Sequence, residues 1–226
     1  MQNLHLVCIS CGSPVSCLYR KYSETVLKLS RCTNCGCVAD RYIEYDVVLV
    51  VLDLILQNVA AYRHVLFNSG LKSYWRLAVI FVLCDSYFKW IERRASDFPD
   101  QSLEIYDLEW RFYLSLLKAT FETLTFVLSV VVLCRYFLAS AVDTTRLVKA
   151  VLAGFYGNVF VVLAVVWQMH LTWSYIILTR IFIIVSQVQV LRAVACVSVG
   201  GASAVVLVSS WCQWLVGCAL LSVKAI

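Results

Sequence analysis

Between residues 111 and 223 this chain carries nine charged side chains in 113 positions, and so long an apolar stretch has no water-soluble fold to hide in. The whole sequence is 62% hydrophobic with a mean hydropathy of +0.81, and 15% of it is charged, against roughly 25% in a soluble domain. Lipid must therefore be the solvent for much of the chain. A helix crosses the hydrocarbon core in about 20 apolar residues. Phe112–Leu138, Leu147–Trp167, Trp173–Ala193 and about Val194–Val223 reach that length and are expected as spans. Trp110, Tyr136, Trp167 and Trp173 stand near their ends, where amphipathic rings favour the membrane interface. Leu77–Ile91 carries Asp85 and Lys89 at helical spacing and reads either as a short span or as a re-entrant element. The expected fold class is an α-helical multispanning membrane protein, with four to five spans over residues 69–226 and a small zinc ribbon at its N-terminus.

Charges inside a span are costly and usually face the bundle interior. Lys118, Glu122, Thr125 and Ser129 fall on one face of the first span, and Lys118 can pair with Glu122 across one turn. A network tying helices together, a polar path for a lipid headgroup and a proton-linked site are all open readings. The net charge of +5, from 19 basic and 14 acidic residues, suits a membrane surface. No basic cluster with interleaved aromatics is present, so nucleic acid is not an expected partner.

The first 45 residues differ in kind: they are polar and hold six of the eleven cysteines. Cys8-Ile-Ser-Cys11-Gly12 and Cys32-Thr-Asn-Cys35-Gly36 repeat one motif across a twenty-residue spacer. That spacing predicts a zinc site. Each pair would form a tight knuckle, the glycine after it would turn the chain at positive φ, and four thiolates would close a tetrahedral shell. With no open position, such zinc is structural. The segments Tyr19–Tyr22 and Thr25–Leu29 between the pairs alternate as short strands do. A domain of about 40 residues is too small to build a sufficient core alone, so metal would supply much of its folding free energy. The competing reading is a disulfide pair or redox Cys-x-x-Cys. Cys17 and Cys37 are spare and either could replace a neighbour, but two-residue spacing on both sides favours Cys8, Cys11, Cys32 and Cys35. Thiolates persist where thiols stay reduced, which predicts a cytosolic N-terminus. No basic segment followed by an apolar core precedes Cys8, so no cleavable signal is expected.

Residues 46–68 link ribbon and spans. Their continuous apolar part is about ten residues, and Asp46, Asp53 and Gln57 share one helical face, which predicts an amphipathic helix lying in the interface. Tyr42, Glu44, Tyr45 and Asp46 precede it, where acidic side chains favour a helix N-terminus. Tyr62, Arg63 and His64 follow it. Capping and packing of the ribbon on the helix is one reading of both groups; contact with lipid headgroups or a partner subunit is the other, with Arg63 able to pair with a phosphate.

The two cysteine pairs, then Arg41-Tyr-Ile-Glu-Tyr-Asp46, then Ala61-Tyr-Arg-His-Val-Leu-Phe-Asn68, in that order, resemble the homology domain of the Arv family. The resemblance is strong over residues 8–68. Downstream it is carried weakly by Trp110-x-Phe-Tyr113, Tyr156-Gly157 and Gln189-x-x-Arg192. It implies a protein of the endoplasmic-reticulum membrane that supports sterol trafficking and distribution, with links to sphingolipid metabolism and glycosylphosphatidylinositol-anchor synthesis. No His-Glu-x-x-His, Gly-x-Ser-x-Gly or phosphate-cradling glycine loop occurs, so the chain is not expected to be an enzyme. Its expected partners are membrane lipids including sterols, or a lipid-modifying enzyme complex that it would serve as an accessory subunit.

Overall fold

The computed structural model describes residues 6–23, 27–70, 74–97, 105–137, 143–168 and 172–222. Residues 139–142, in the first half of the connection between the first two expected spans, and His170, between the second and third, lie outside them.

The apolar half folds as expected, with four segments among the described residues long and apolar enough to cross a membrane. Glu109–Phe137 lies in α4 (Ile105–Phe137). Thr144–Val166 is built from α5 (Thr144–Ala153), a 3-10 turn at Gly154–Gly157 and α6 (Asn158–Val166). Trp173–Ala195 is α7, and Val199–Leu220 lies in α8 (Val199–Ser222). Asp143 caps α5 by accepting from the Thr145 amide at 3.2 Å. Cys196, at φ 51, ends α7 in the left-handed region and lets the chain reverse into α8.

Between ribbon and spans, α3 (Tyr74–Asp97) is one unbroken helix of 24 residues, about 36 Å long. It does not turn back on itself, as a re-entrant element would. It packs on α4, α5 and α6, and Asn158 donates to the Phe81 carbonyl at 3.3 Å. Consecutive spans alternate in direction, whereas α3 runs parallel to the α5–α6 segment, with Tyr74 beside Lys149 and Phe81 beside Asn158. Gln187 bonds Val151, the Ile183 side chain lies against Gly157, and Tyr175 bonds the Phe160 carbonyl, so α7 runs antiparallel to the α5–α6 segment. Trp90 stacks edge-on against Phe112, and Lys89 meets Glu122, so α3 runs antiparallel to α4. The core runs through the middle of this bundle, where Phe126, Val130, Val151, Leu191 and Val206 are fully buried.

The segment expected as a single interfacial helix is a helical hairpin. α1 (Val47–Ile55) stops at Leu56, Gln57 takes φ 60, and α2 (Val59–Arg63) runs on into a π turn at His64–Asn68. The Asn58 side chain, accepting from the Ala60 amide at 3.1 Å, starts the second arm. A run of apolar residues followed by Gln-Asn is a helix stop as much as an amphipathic continuation, and here the stop prevails. The tip is tied deep in the bundle. Tyr156 donates to the Leu54 carbonyl at 2.8 Å and Gln57 donates to the Tyr156 hydroxyl at 3.2 Å. Tyr156 stands at the midpoint of its span, so the hairpin reaches from the ribbon to mid-bundle depth. Its outward face, with Val47, Val48, Leu49 and Leu56 exposed, is apolar.

The ribbon itself holds the expected pair of strands, β1 (Tyr19–Lys21) and β2 (Leu27–Leu29), antiparallel with Tyr19 opposite Leu29.

Candidate metal centre and its attachment to the bundle

The two cysteine motifs fold into the same unit. In each the glycine amide donates to the first cysteine carbonyl at 2.9 Å, from Gly12 to Cys8 and from Gly36 to Cys32. The first cysteine amides donate to Ser13 and Cys37 carbonyls at 2.9 and 2.8 Å, and the bridges Val7–Pro14 and Arg31–Val38 close each loop. Gly12 and Gly36 stand at φ 78 and φ 71, a conformation that strains any side-chain-bearing residue. These loops aim Cys8, Cys11, Cys32 and Cys35 at one point, with all four sulfurs within 4.8 Å of one another.

Distances decide between metal and disulfide. Cys8 Sγ lies 3.7 Å from Cys35 Sγ, and Cys11 Sγ lies 3.7 Å from Cys32 Sγ. A disulfide would need about 2.05 Å. A tetrahedron with metal–sulfur bonds of about 2.3 Å has edges of about 3.8 Å, which these two separations match. The four cysteines can therefore hold a metal ion. Without a cation the thiols share protons unequally. Hydrogen bonds from Ser13 draw Cys11 down to about 6. Cys35 is pushed up to about 12, the backbone bond at Cys37 that lowers it being outweighed by desolvation and by the neighbouring thiols. Cys37 is exposed, and Cys17 Sγ is 3.3 Å from Ser30 Oγ instead.

Asp40, fully buried, fastens the ribbon to the hairpin. Its carboxylate accepts from the Tyr42 amide at 3.0 Å, from Asn68 Nδ2 at 2.6 Å and lies 2.7 Å from His64 Nδ1. Asn68 also clasps the Val7 backbone, accepting from its amide at 3.1 Å and donating to its carbonyl at 3.0 Å. Arg63 donates to the Ile9 and Ser10 carbonyls at 3.0 and 2.7 Å, inside the first knuckle. Tyr42 is buried and donates to Asp53 at 2.5 Å; burial and that bond push its phenol up. Tyr42, Arg63 and His64 are thus brought together as the joint between ribbon and hairpin. Glu44, Tyr45 and Asp46 are exposed beside it. Asn68 ends the second homology motif and Asp40 immediately precedes the first; neither is marked by spacing in the sequence, because their partnership is made only in the folded joint. Asp40→Ala leaves three donors without an acceptor in a buried site. Purified Asp40→Ala is expected to melt about 3–5 kcal/mol less stably in mild detergent, with the ribbon first to become protease-sensitive.

Tyr62 points the other way, into the bundle. Its hydroxyl contacts Gln57 Oε1 and Tyr156 Oη, each at 2.8 Å, and Ser186 Oγ at 3.2 Å. Ser186 in turn donates to the Gly154 carbonyl at 3.1 Å.

Lys118 and Glu122 do pair, at 3.6 Å, but the tighter partner of Glu122 comes from another helix. Lys89 of α3 bonds Glu122 at 2.6 Å and also Asp85, one turn back on its own helix. The four charges cancel and are nearly or fully buried. They stand in the wall of a cavity of about 1030 Å³ between α3, α4, α7 and α8.

The Arv1-like family matches residues 7–191 of this chain. Protein ARV1 of Mus musculus is 33% identical over 192 residues, 82% of this chain and 72% of that protein. Protein ARV1 of Homo sapiens is 31% identical over 195 residues, 82% and 70% of the two chains. Protein arv1 homolog of Dictyostelium discoideum is 28% identical over 207 residues, 83% of each. No solved structure matches.

Proposed function

The chain belongs to the Arv1-like family, and on that premise we propose that it mediates sterol and lipid homeostasis in the endoplasmic-reticulum membrane without being an enzyme. It acts in the trafficking and distribution of sterol among membranes, and through lipid supply is linked to sphingolipid metabolism and glycosylphosphatidylinositol-anchor synthesis. The metal of the four-cysteine cluster is zinc in a structural role, holding the ribbon on the cytosolic side. The hairpin dips into that leaflet with its apolar face to lipid. α3 crosses as a fifth helix, its charges neutralised inside the bundle, which puts the C-terminus in the lumen.

The observation that supports this reading best is the continuity between parts. A metal-gripping head is bonded through Asp40 and Arg63 to a hairpin, and the hairpin through Tyr62 and Tyr156 to a helical bundle with a large cavity. Proteoliposomes carrying the purified chain are expected to move labelled sterol from donor to acceptor vesicles faster than protein-free liposomes. Equal rates would refute the sterol role.

A second reading is that the chain is a non-catalytic accessory or regulatory subunit of a membrane lipid-modifying enzyme complex. Glu44, Tyr45 and Asp46 favour it, because they are exposed together with Arg41 while Tyr42, Arg63 and His64 are taken up in the joint, and the Arg41 guanidinium stands 6.0 Å over the Tyr45 ring. Extraction in a gentle detergent followed by mass spectrometry would recover that partner in stoichiometric amount; the chain emerging alone would exclude this role.

A further inference from the structure

The two cysteine knuckles are alike in backbone and unlike in surroundings. The second stands free: Thr33, Asn34, Cys35, Gly36 and Cys37 are exposed, and nothing lies within 4 Å of where a Cβ on Gly36 would be. The first is pressed from two sides. A Cβ on Gly12 would stand 3.4 Å from Arg63 Cζ and Nη2, at the end of α2, and 3.4 Å from Cys196 Sγ, in the turn between α7 and α8. One metal-binding loop thus touches both the hairpin and the turn joining the last two spans.

Arg63 is the informative side chain. Its Nη1 donates to the carbonyls of Ile9 and Ser10, the two residues between Cys8 and Cys11. Those carbonyls converge on one nitrogen while the loop keeps the shape that points its two sulfurs at the cluster. Arg63 Nε is buried without a partner, and no carboxylate lies within 4.0 Å of the guanidinium among the described residues. A half-buried cation so placed needs a counter-charge. Four thiolates around one divalent ion leave two negative charges over, so the loaded cluster supplies it. From Arg63 the contacts continue inward, because the hydroxyl of the preceding residue, Tyr62, meets Gln57, Tyr156 and Ser186.

We propose that Arg63 couples metal occupancy of the ribbon to docking of the hairpin in the bundle. With the cluster loaded, the first knuckle is fixed and seats Arg63, which holds the hairpin against Tyr156 and the α7–α8 turn. With the cluster empty, Arg63 loses both the shaped loop and the counter-charge, and the hairpin loosens while the spans persist. Coupling between two sites is reciprocal, so the docked hairpin also tightens the metal. The first knuckle is the half of the ribbon that reports the metal inward, and the second completes the shell. The inference rests on the divalent ion proposed for the cluster and not on sterol transfer.

The test uses the full-length protein in mild detergent, with zinc affinity read by competition with a chromophoric chelator and backbone hydrogen exchange read by mass spectrometry. Arg63→Gln is expected to weaken zinc binding about tenfold or more, and Arg63→Lys to weaken it less, as coupling between sites usually does. Arg31→Gln removes an exposed charge beside Cys32 and should change the affinity by no more than about twofold. Tyr156→Phe, at the hairpin tip and outside the ribbon, should weaken zinc about fivefold or more, which a merely local role for Arg63 does not produce. In the wild-type protein, chelation should speed exchange over residues 57–68 and leave residues 126–130 protected. Zinc affinity unmoved by Tyr156→Phe, or exchange over residues 57–68 unmoved by chelation, would overturn the coupling. So would a loss in Arg31→Gln equal to that in Arg63→Gln. A wild-type chain that holds no zinc would sink the coupling and the metal assignment together, whereas intact coupling without sterol transfer would count against the lipid role alone.

Discussion

Alanine at Cys32 is expected to release the metal and unfold the ribbon while the helical bundle persists. Cys32 is 3% exposed and supplies one of the four converging sulfurs, so its loss opens the shell and leaves a three-sulfur site. Structural zinc contributes apparent binding free energies of about 10–16 kcal/mol in small domains, far more than a two-stranded sheet of six residues can replace. The checks are metal per chain by elemental analysis and limited proteolysis within residues 6–39. Cys37→Ala serves as control, because Cys37 is exposed and outside the cluster, and it is expected to keep full metal content. Acid should act as the mutation does. Metal must displace protons from the thiols, so occupancy is expected to fall as pH is lowered.

Glu122→Ala is expected to produce the second large effect, destabilising the bundle by about 3–5 kcal/mol, the usual consequence of stripping one partner from a buried ion pair. It leaves Lys89 and Lys118 facing one another with a single carboxylate, Asp85, between them. Thermal unfolding in detergent should show it directly. The double change Glu122→Leu with Lys118→Leu removes a charge of each sign and leaves the Asp85–Lys89 pair whole. Most of the lost stability should return, since apolar replacement of a complete buried pair is close to neutral. If the double variant is no better than the single one, the four charges do not act as a balanced set.

The helical half and the metal cluster were legible for the same reason: both follow from local spacing. Apolar length identified the spans to within a few residues, and the repeated Cys-x-x-Cys-Gly identified the four sulfurs and the positive φ of both glycines. Lys118 and Glu122 were legible as a pair because they lie one turn apart. Lys89 was not legible as their partner, since it reaches Glu122 only when α3 packs on α4. The hairpin was read as one helix because Asp46, Asp53 and Gln57 happen to fall at helical spacing, yet Asp53 turns to Tyr42 and Gln57 to Tyr62. Polar residues that look like one solvated face can instead be answered by separate partners. Of the homology element, Tyr42, Arg63 and His64 carried a visible signal of importance, but whether that meant binding or joining depended on Asp40 and on the backbone of the first knuckle, both placed by tertiary contact.

The hairpin tip also fixes an order of assembly. Gln57 and Tyr62 bond Tyr156, which lies 99 and 94 residues further along the chain, and Tyr62 bonds Ser186, 124 residues away. The ribbon, whose four sulfurs all lie within the first 35 residues, can close on its metal as soon as they have left the ribosome. Its neighbour must wait until the third apolar span has been delivered to the bilayer. During that interval the nascent protein carries a finished head and an unsatisfied polar elbow, a species that membrane-insertion machinery has to shelter.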